Sequence, residues 1–297
     1  MTSDSRLRSF ASLRGLALGD AFGSCYADPI NQAALRDRSL LPGPWLWTDD
    51  TEMACSIFAV LGRYGRIEQD ALAESFARHH DIYRRYGPGT NRILRLISQK
   101  GGDWRTLAAE ARNGQGSWGN GAAMRVAPLG AYFADDLDRV VREAAASAEV
   151  THQHHEGVAG AVAVAIAAAL AVSAPDTHGT ALLDAVAECT PPGLVRDGIL
   201  DARTMRDAGA AAAALGNGRA VSAPDTVPFC LWIAAHFPDD FGAACWATVA
   251  TGGDVDTTCA IVGGILAARL GISGLPAEWL QRCEPLPMWI SGASERT

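Results

Sequence analysis

Residues 158–172 read VAGAVAVAIAAALAV, the longest apolar run in the chain, and they point to the fold class. The run is too short to span a bilayer, which takes about 20 apolar residues. It is built mainly on alanine, the best helix former, and falls in a helix predicted over 155–173. The same character extends outward. Leu7, Phe10, Leu13, Leu16 and Ala17 form one early helical face, and Met53, Ile57, Phe58 and Leu61 form another. Further helices are expected near 69–85, 90–99, 121–133, 136–149, 179–189, 203–215, 227–236, 239–250, 256–270 and 276–283. Alternating β-branched strands are nearly absent. The expectation is a compact all-α domain over 1–297, with many short helices and function carried on the connecting loops.

Composition narrows the function. The chain has 297 residues, 48% of them apolar and 20% charged, enough to bury a full core. Net charge is −8 with no basic block, which argues against non-specific nucleic-acid binding. The opening MTSDSRLRSF has no apolar segment of the secretory kind. The seven cysteines form no CxxC pair, and Cys55, Cys230, Cys245 and Cys259 sit in apolar helical contexts. A cytoplasmic, disulfide-free protein is expected, away from membranes. Nothing resembling a coiled coil or an exposed apolar stripe sets an oligomer, so a monomer is expected.

Two acidic clusters stand out: WTDDTEM at 47–53 and GGDVDTT at 252–258. Asp49 with Glu52 three residues later has the spacing of a capping box, and Asp254 or Asp256 could cap the helix ending at Gly271. Yet one cap needs one side chain, and each cluster offers two carboxylates with at least one hydroxyl. No Lys or Arg lies between Arg38 and Arg63, or between Arg219 and Arg269, to neutralise them. A hard divalent cation would do so through oxygen ligands, Mg²⁺ or Mn²⁺ rather than Zn²⁺. Capping and metal binding both remain open at this level, with the chemistry favouring the metal. The glycines of GGD, and a glycine-rich loop SWGNG at 117–121, suggest a cradle for phosphate or ribose. The adjacent His154 and His155 lack the further His or Cys ligands a zinc site would need.

In order along the chain, RGLALGDAFGS (14–24), WTDDTEM, GNGAAMRVAPLG (119–130), THQHHEGVAG (151–160) and GGDVDTTCAIVGGILAARLG (252–271) resemble the motifs of the ADP-ribosylglycohydrolases. The resemblance implies an orthogonal multi-helix fold and a binuclear Mg²⁺ or Mn²⁺ centre. It implies Thr48, Asp49, Asp50, Asp254, Asp256 and Thr257 as metal ligands, with Asp50 and then Asp49 handling the catalytic proton. Substrate contacts are implied at Ser117, Trp118, Gly119, Asn120, Gly121, Met124, His152, Gly252 and Gly253. The implied reaction removes ADP-ribose from a protein side chain, a nucleic-acid base or a small molecule. A non-catalytic ADP-ribose-binding protein and a metal-dependent phosphohydrolase are the competing readings. One position departs from the pattern: Ala27 stands where several members carry a glutamate, followed by Asp28, which would reach the cleft or cap the loop before Pro29. The loop RYGPGTNR (85–92) reads as a turn between helices or as a substrate rim.

Overall fold

A computed structural model describes residues 3–290, and these form seventeen α-helices with no strand. The first nine are α1 (Ser3–Tyr26), α2 (Gln32–Arg36), α3 (Asp49–Tyr64), α4 (Gln69–Arg78), α5 (Pro88–Lys100), α6 (Trp104–Ala109), α7 (Ala111–Gly114), α8 (Ala127–Tyr132) and α9 (Leu137–Glu149). The rest are α10 (His155–Ser173), α11 (Gly179–Cys189), α12 (Leu194–Ala202), α13 (Ala208–Leu215), α14 (Ala223–His236), α15 (Phe241–Val249), α16 (Val255–Leu270) and α17 (Ala277–Arg282).

The alanine-rich run lies in α10, at the centre of the bundle against α8, α9, α14 and α16. The helix extends beyond the apolar run, and by length and composition it could cross a membrane. Its mean hydropathy is 1.9, but 83% of the helix's apolar stretch is buried inside the protein. Short alanine side chains let these neighbouring helices come close to it, which its sequence alone does not reveal.

The closest packing is between α1 and α16. Gly15, Gly19 and Gly23 fall four residues apart on one face of α1. A methyl at these positions would collide with α16 backbone at Gly263, Cys259 and Val255 respectively. The matching retreat along α16 makes the two helices antiparallel. Only glycine lets the backbones approach this far, and the contact joins the amino-terminal helix to the start of α16.

Boundaries differ from expectation where loop chemistry intervenes. The helix expected over 69–85 stops at Arg78. Asp81 caps a separate 3₁₀ turn at Ile82–Arg84, and Arg85 then enters the left-handed region with φ 66. The helix expected over 121–133 splits into a 3₁₀ turn at Asn120–Ala122 and α8, which Pro128 can join only in its first turn. Helix α12 was not anticipated, although Val195, Ile199 and Ala202 bury one helical face. All seven cysteines are free thiols.

Candidate active site

The near acidic cluster is set by α3. Thr48 occupies the cap position with extended backbone, but its side chain makes no capping bond, and Asp49 and Asp50 are the first two residues of the helix. The capping-box reading fails here. Glu52 instead accepts the Asp81 amide at 3.0 Å and the Tyr86 hydroxyl at 2.7 Å, tying the 79–87 segment to α3. Asp49 and Asp50 are left buried and aimed at a cavity.

Asp20 of α1, outside both acidic clusters in sequence, organises this end. Its fully buried carboxylate accepts the Thr48 amide at 2.9 Å and the Thr51 amide and hydroxyl at 3.1 and 2.5 Å. The Thr48 hydroxyl lies 2.9 Å from Asp20 and 2.8 Å from Asp50. One hydroxyl carries one hydrogen, so it donates to only one of these two carboxylates. Burial pushes Asp20 up to about 7 despite these hydrogen bonds, with Asp256 adding repulsion. Asp49 and Asp50 are held well above the carboxylate range, by burial first and by neighbouring carboxylates next. The second Asp50 oxygen, Oδ1, is buried with no partner.

The far cluster enters α16. Asp254 takes the cap position but makes no capping side-chain bond, and the amide of Thr257 is taken by Asp256 at 3.1 Å. The Asp254 amide donates to the Asn217 carbonyl at 3.1 Å, which holds the preceding turn. Gly252 and Gly253 have φ of 68 and 85 and serve that turn rather than the cavity wall. Burial first, then Asp256, raises Asp254 to about 7. Asn120 Nδ2 donates to Asp254 at 2.8 Å and to Thr226 at 3.2 Å, so this loop residue holds a carboxylate in place.

The cavity above has a volume of about 590 Å³, within the usual range for small-molecule sites. Asp49, Asp50, Asp254, Asp256 and Thr257 lie on its wall with Ser117, Gly119, Asn120, Gly121, Met124 and His152. Thr48 sits behind Asp50, and Trp118 is exposed with its ring edge-on to His154. His152 is buried above the glycine loop, where a side chain on Gly119 or Gly121 would run into its ring. Its Nδ1 is 2.7 Å from the Thr151 hydroxyl, and burial, then the Arg125 charge, depress its pKa to about 3.

Arginines complete the wall. Arg85, Arg92 and Arg112 line the cavity, and none forms an ion pair among the described residues. The 85–92 loop is therefore rim as well as turn, with Pro88 opening α5. Arg85, Arg112, Asn113 and Val221 are wall residues with left-handed backbone, a strained state for non-glycine residues that tends to gather at binding sites. Asp28 does not reach the cavity. It is exposed and caps the 3₁₀ turn at Pro29–Asn31 through the Ile30 amide at 2.9 Å.

The profile of the family described as ADP-ribosylglycohydrolase matches residues 1–296. The chain belongs to the ADP-ribosylglycohydrolase family. It is 31% identical over 282 residues to an uncharacterized protein of Archaeoglobus fulgidus, covering 90% of this chain and 88% of that one. It is 28% identical over 319 residues to the ADP-ribosylhydrolase ARH3 of Homo sapiens, covering 92% and 88%. It is 26% identical over 290 residues to the ADP-ribosylarginine hydrolase Tri1 of Pseudomonas putida, covering 93% and 74%. A solved structure titled ADP-ribosylglycohydrolase-related protein complex superposes with a TM-score of 0.70 at 22% identity, covering 98% of this chain and 97% of that chain. The all-α fold is thus the glycohydrolase fold.

The residues fit the oxygen-ligated cations that the glycohydrolase motifs imply. The donors are carboxylates and hydroxyls, the buried Asp50 Oδ1 lacks a partner, and burial first, with neighbouring carboxylates next, raises Asp49 and Asp50. Among the described residues no three His, Cys, Asp or Glu side chains already converge as a ready coordination shell.

Proposed function

We propose that this chain is a metal-dependent hydrolase that cleaves the glycosidic bond between ADP-ribose and an acceptor, releasing ADP-ribose. The observation carrying this reading is the meeting, on one cavity wall, of carboxylates from two distant segments, with a buried Asp50 oxygen lacking a partner. Family membership and the activities named for the human and Pseudomonas relatives support it.

Thr48, Asp49, Asp50, Asp254, Asp256 and Thr257 would hold two Mg²⁺ or Mn²⁺ ions. When bound, such ions supply positive charge that offsets the carboxylates, orients ribose hydroxyls and eases deprotonation of water. Asp50, with Asp49 beside it, would receive the proton of the attacking water. The C–O or C–N bond to the acceptor breaks, its electron pair leaves with the acceptor, and the acceptor gains a proton. Positive charge growing on the ribose is stabilised by the remaining carboxylates. The unpaired Arg85, Arg92 and Arg112 offer charge to the diphosphate. The glycine loop permits close backbone approach, and His152 contributes a polar contact beside it. Asp28, committed to its own turn, does not stand in for the missing glutamate.

The test is release of ADP-ribose from a panel of arginine-, serine-, base- and phosphate-linked substrates, with Mg²⁺, with Mn²⁺ and with chelator. Asp50→Asn and Asp256→Asn are expected to lose about a hundredfold or more in kcat while keeping the helical circular-dichroism spectrum. Full turnover in both variants, or in chelator, overturns the proposal. Ligand-induced stabilisation without turnover would identify a binding protein, and released inorganic phosphate a phosphohydrolase.

A further inference from the structure

We infer that Arg125 and Thr151 are positioning residues that hold His152 in one tautomer, with its proton on Nε2 and directed to the ligand. Arg125 is fully buried and forms no ion pair among the described residues, a costly placement for a cation. Its guanidinium lies 4.6 Å from the centre of the Phe76 ring. Nη1 reaches the Met53 sulfur at 3.5 Å. Nη2 donates to the Ser147 carbonyl at 3.0 Å and to the Thr151 hydroxyl at 2.9 Å. One residue therefore joins α3, just past the near acidic cluster, to the end of α9 and to the His152 segment.

The proton assignment follows from donor counting. Guanidinium nitrogens only donate, so the Thr151 oxygen is an acceptor toward Arg125. Its own hydrogen then has one acceptor among the described residues, His152 Nδ1 at 2.7 Å. An imidazole nitrogen that accepts carries no proton, so the ring proton sits on Nε2. That nitrogen faces the glycine loop, within about van der Waals distance of where side chains on Gly119 and Gly121 would start. It has no hydrogen-bond partner among the described residues, and His152 lines the cavity. A neutral N–H there is a fixed donor for a phosphate or hydroxyl oxygen. Of the charged groups on packed elements, Arg125 faces the ring. Glu156 of α10 turns away to the Leu194 and Val195 amides, and His154 packs on Trp118 and His155.

The inference rests on the glycohydrolase reading only for the ligand's identity, and its first measurement needs no ligand. Imidazole ¹⁵N shifts of His152, assigned by loss in His152→Gln, are expected to report a neutral Nε2–H ring from pH 8 down to 5.5. Thr151→Ser keeps that signature, and Thr151→Val, which deletes the linking hydroxyl, gives mixed tautomers. In the release assay, Thr151→Val is expected to raise KM about tenfold with kcat within about twofold, and Thr151→Ser to restore it. Arg125→Lys, which keeps charge but loses the fork, falls between them. A wild-type ring protonated on Nδ1, or on both nitrogens at pH 5.5, overturns the inference, as does a Val variant with wild-type shifts and KM. If Thr151→Val does not fold, the wild-type and Ser spectra still decide it. Absence of turnover in the wild type would count against the glycohydrolase reading alone, and ADP-ribose affinity then replaces KM.

Discussion

At the scale of single residues, Asp20 shows what local reading misses. It is the lone carboxylate in the apolar stretch LRGLALGDAFGS, and a buried carboxylate is expensive unless something holds it. That cost was the available signal. The structure supplies the partners: two amides and two hydroxyls of the Thr48–Thr51 turn. Asp20 thus orients Thr48 and the two carboxylates after it without facing the cavity. Asp20→Asn, similar in shape but without the charge, is expected to weaken Mg²⁺ binding by roughly 10–100-fold in calorimetric titration. Asp20→Ala leaves several buried donors unpaired and should also cost about 1–3 kcal/mol in denaturant unfolding. Unchanged metal affinity in the Asn variant would remove Asp20 from the site. Asp49 and Asp50 were legible as an unusual pair, whereas the true partners of Glu52 were not, because Asp81 and Tyr86 reach it only through the tertiary fold.

Among elements, the α1–α16 contact fixes the distance between the two acidic clusters. Gly23 abuts Val255, the first residue of α16, directly between Asp254 and Asp256 in sequence. Gly23→Ala must part the helices at this point, and overpacking of this kind costs roughly 1–3 kcal/mol. Its larger effect should fall on activity, since the far carboxylates move with the helix start. Gly242→Ala, on α15 with room for a methyl, is the control and should leave both melting temperature and turnover near wild type. Equal behaviour of the two variants in thermal melts and the release assay would show that close approach is unimportant. The glycine spacing is visible in the sequence, but nothing local says which helix it faces.

For the whole molecule, carboxylates buried at and behind one cavity make stability depend on pH and, through the proposed metals, on cations. Asp20 and Asp254 titrate at about 7 in the folded state against 3.8 as the ordinary value. A pKa raised by folding contributes stability that is complete below the unfolded value and lost as pH rises through the folded one. The cation-free protein should therefore melt at lower temperature at pH 8 than at pH 6.5. His152 does not mask this window. Its depressed pKa of about 3 removes stability only as pH falls below its ordinary 6.5. Mg²⁺ binding to the folded state should restore the melting temperature, more at pH 8 than at pH 6.5. A scanning-fluorimetry series at the two pH values, with and without Mg²⁺, checks the sign. A melting temperature that rises with pH in chelator would contradict the charge-cluster account.

The sequence by itself determined the helical class, through alanine content and helical periodicity, and it marked the acidic clusters and the glycine loop as chemistry-bearing, while His152 came only with the family resemblance. These are properties of residue type and short spacing, which local sequence records directly. Tertiary structure decided that neither cap-position residue, Thr48 nor Asp254, caps its helix through its side chain, that Asn120 braces Asp254, that Asp28 is spent on its own turn, and that Arg85, Arg92 and Arg112 line the same cavity. Each of those outcomes depends on which distant group lies within a few ångströms. That distance is set by helix packing, above all by the glycine face of α1 against α16.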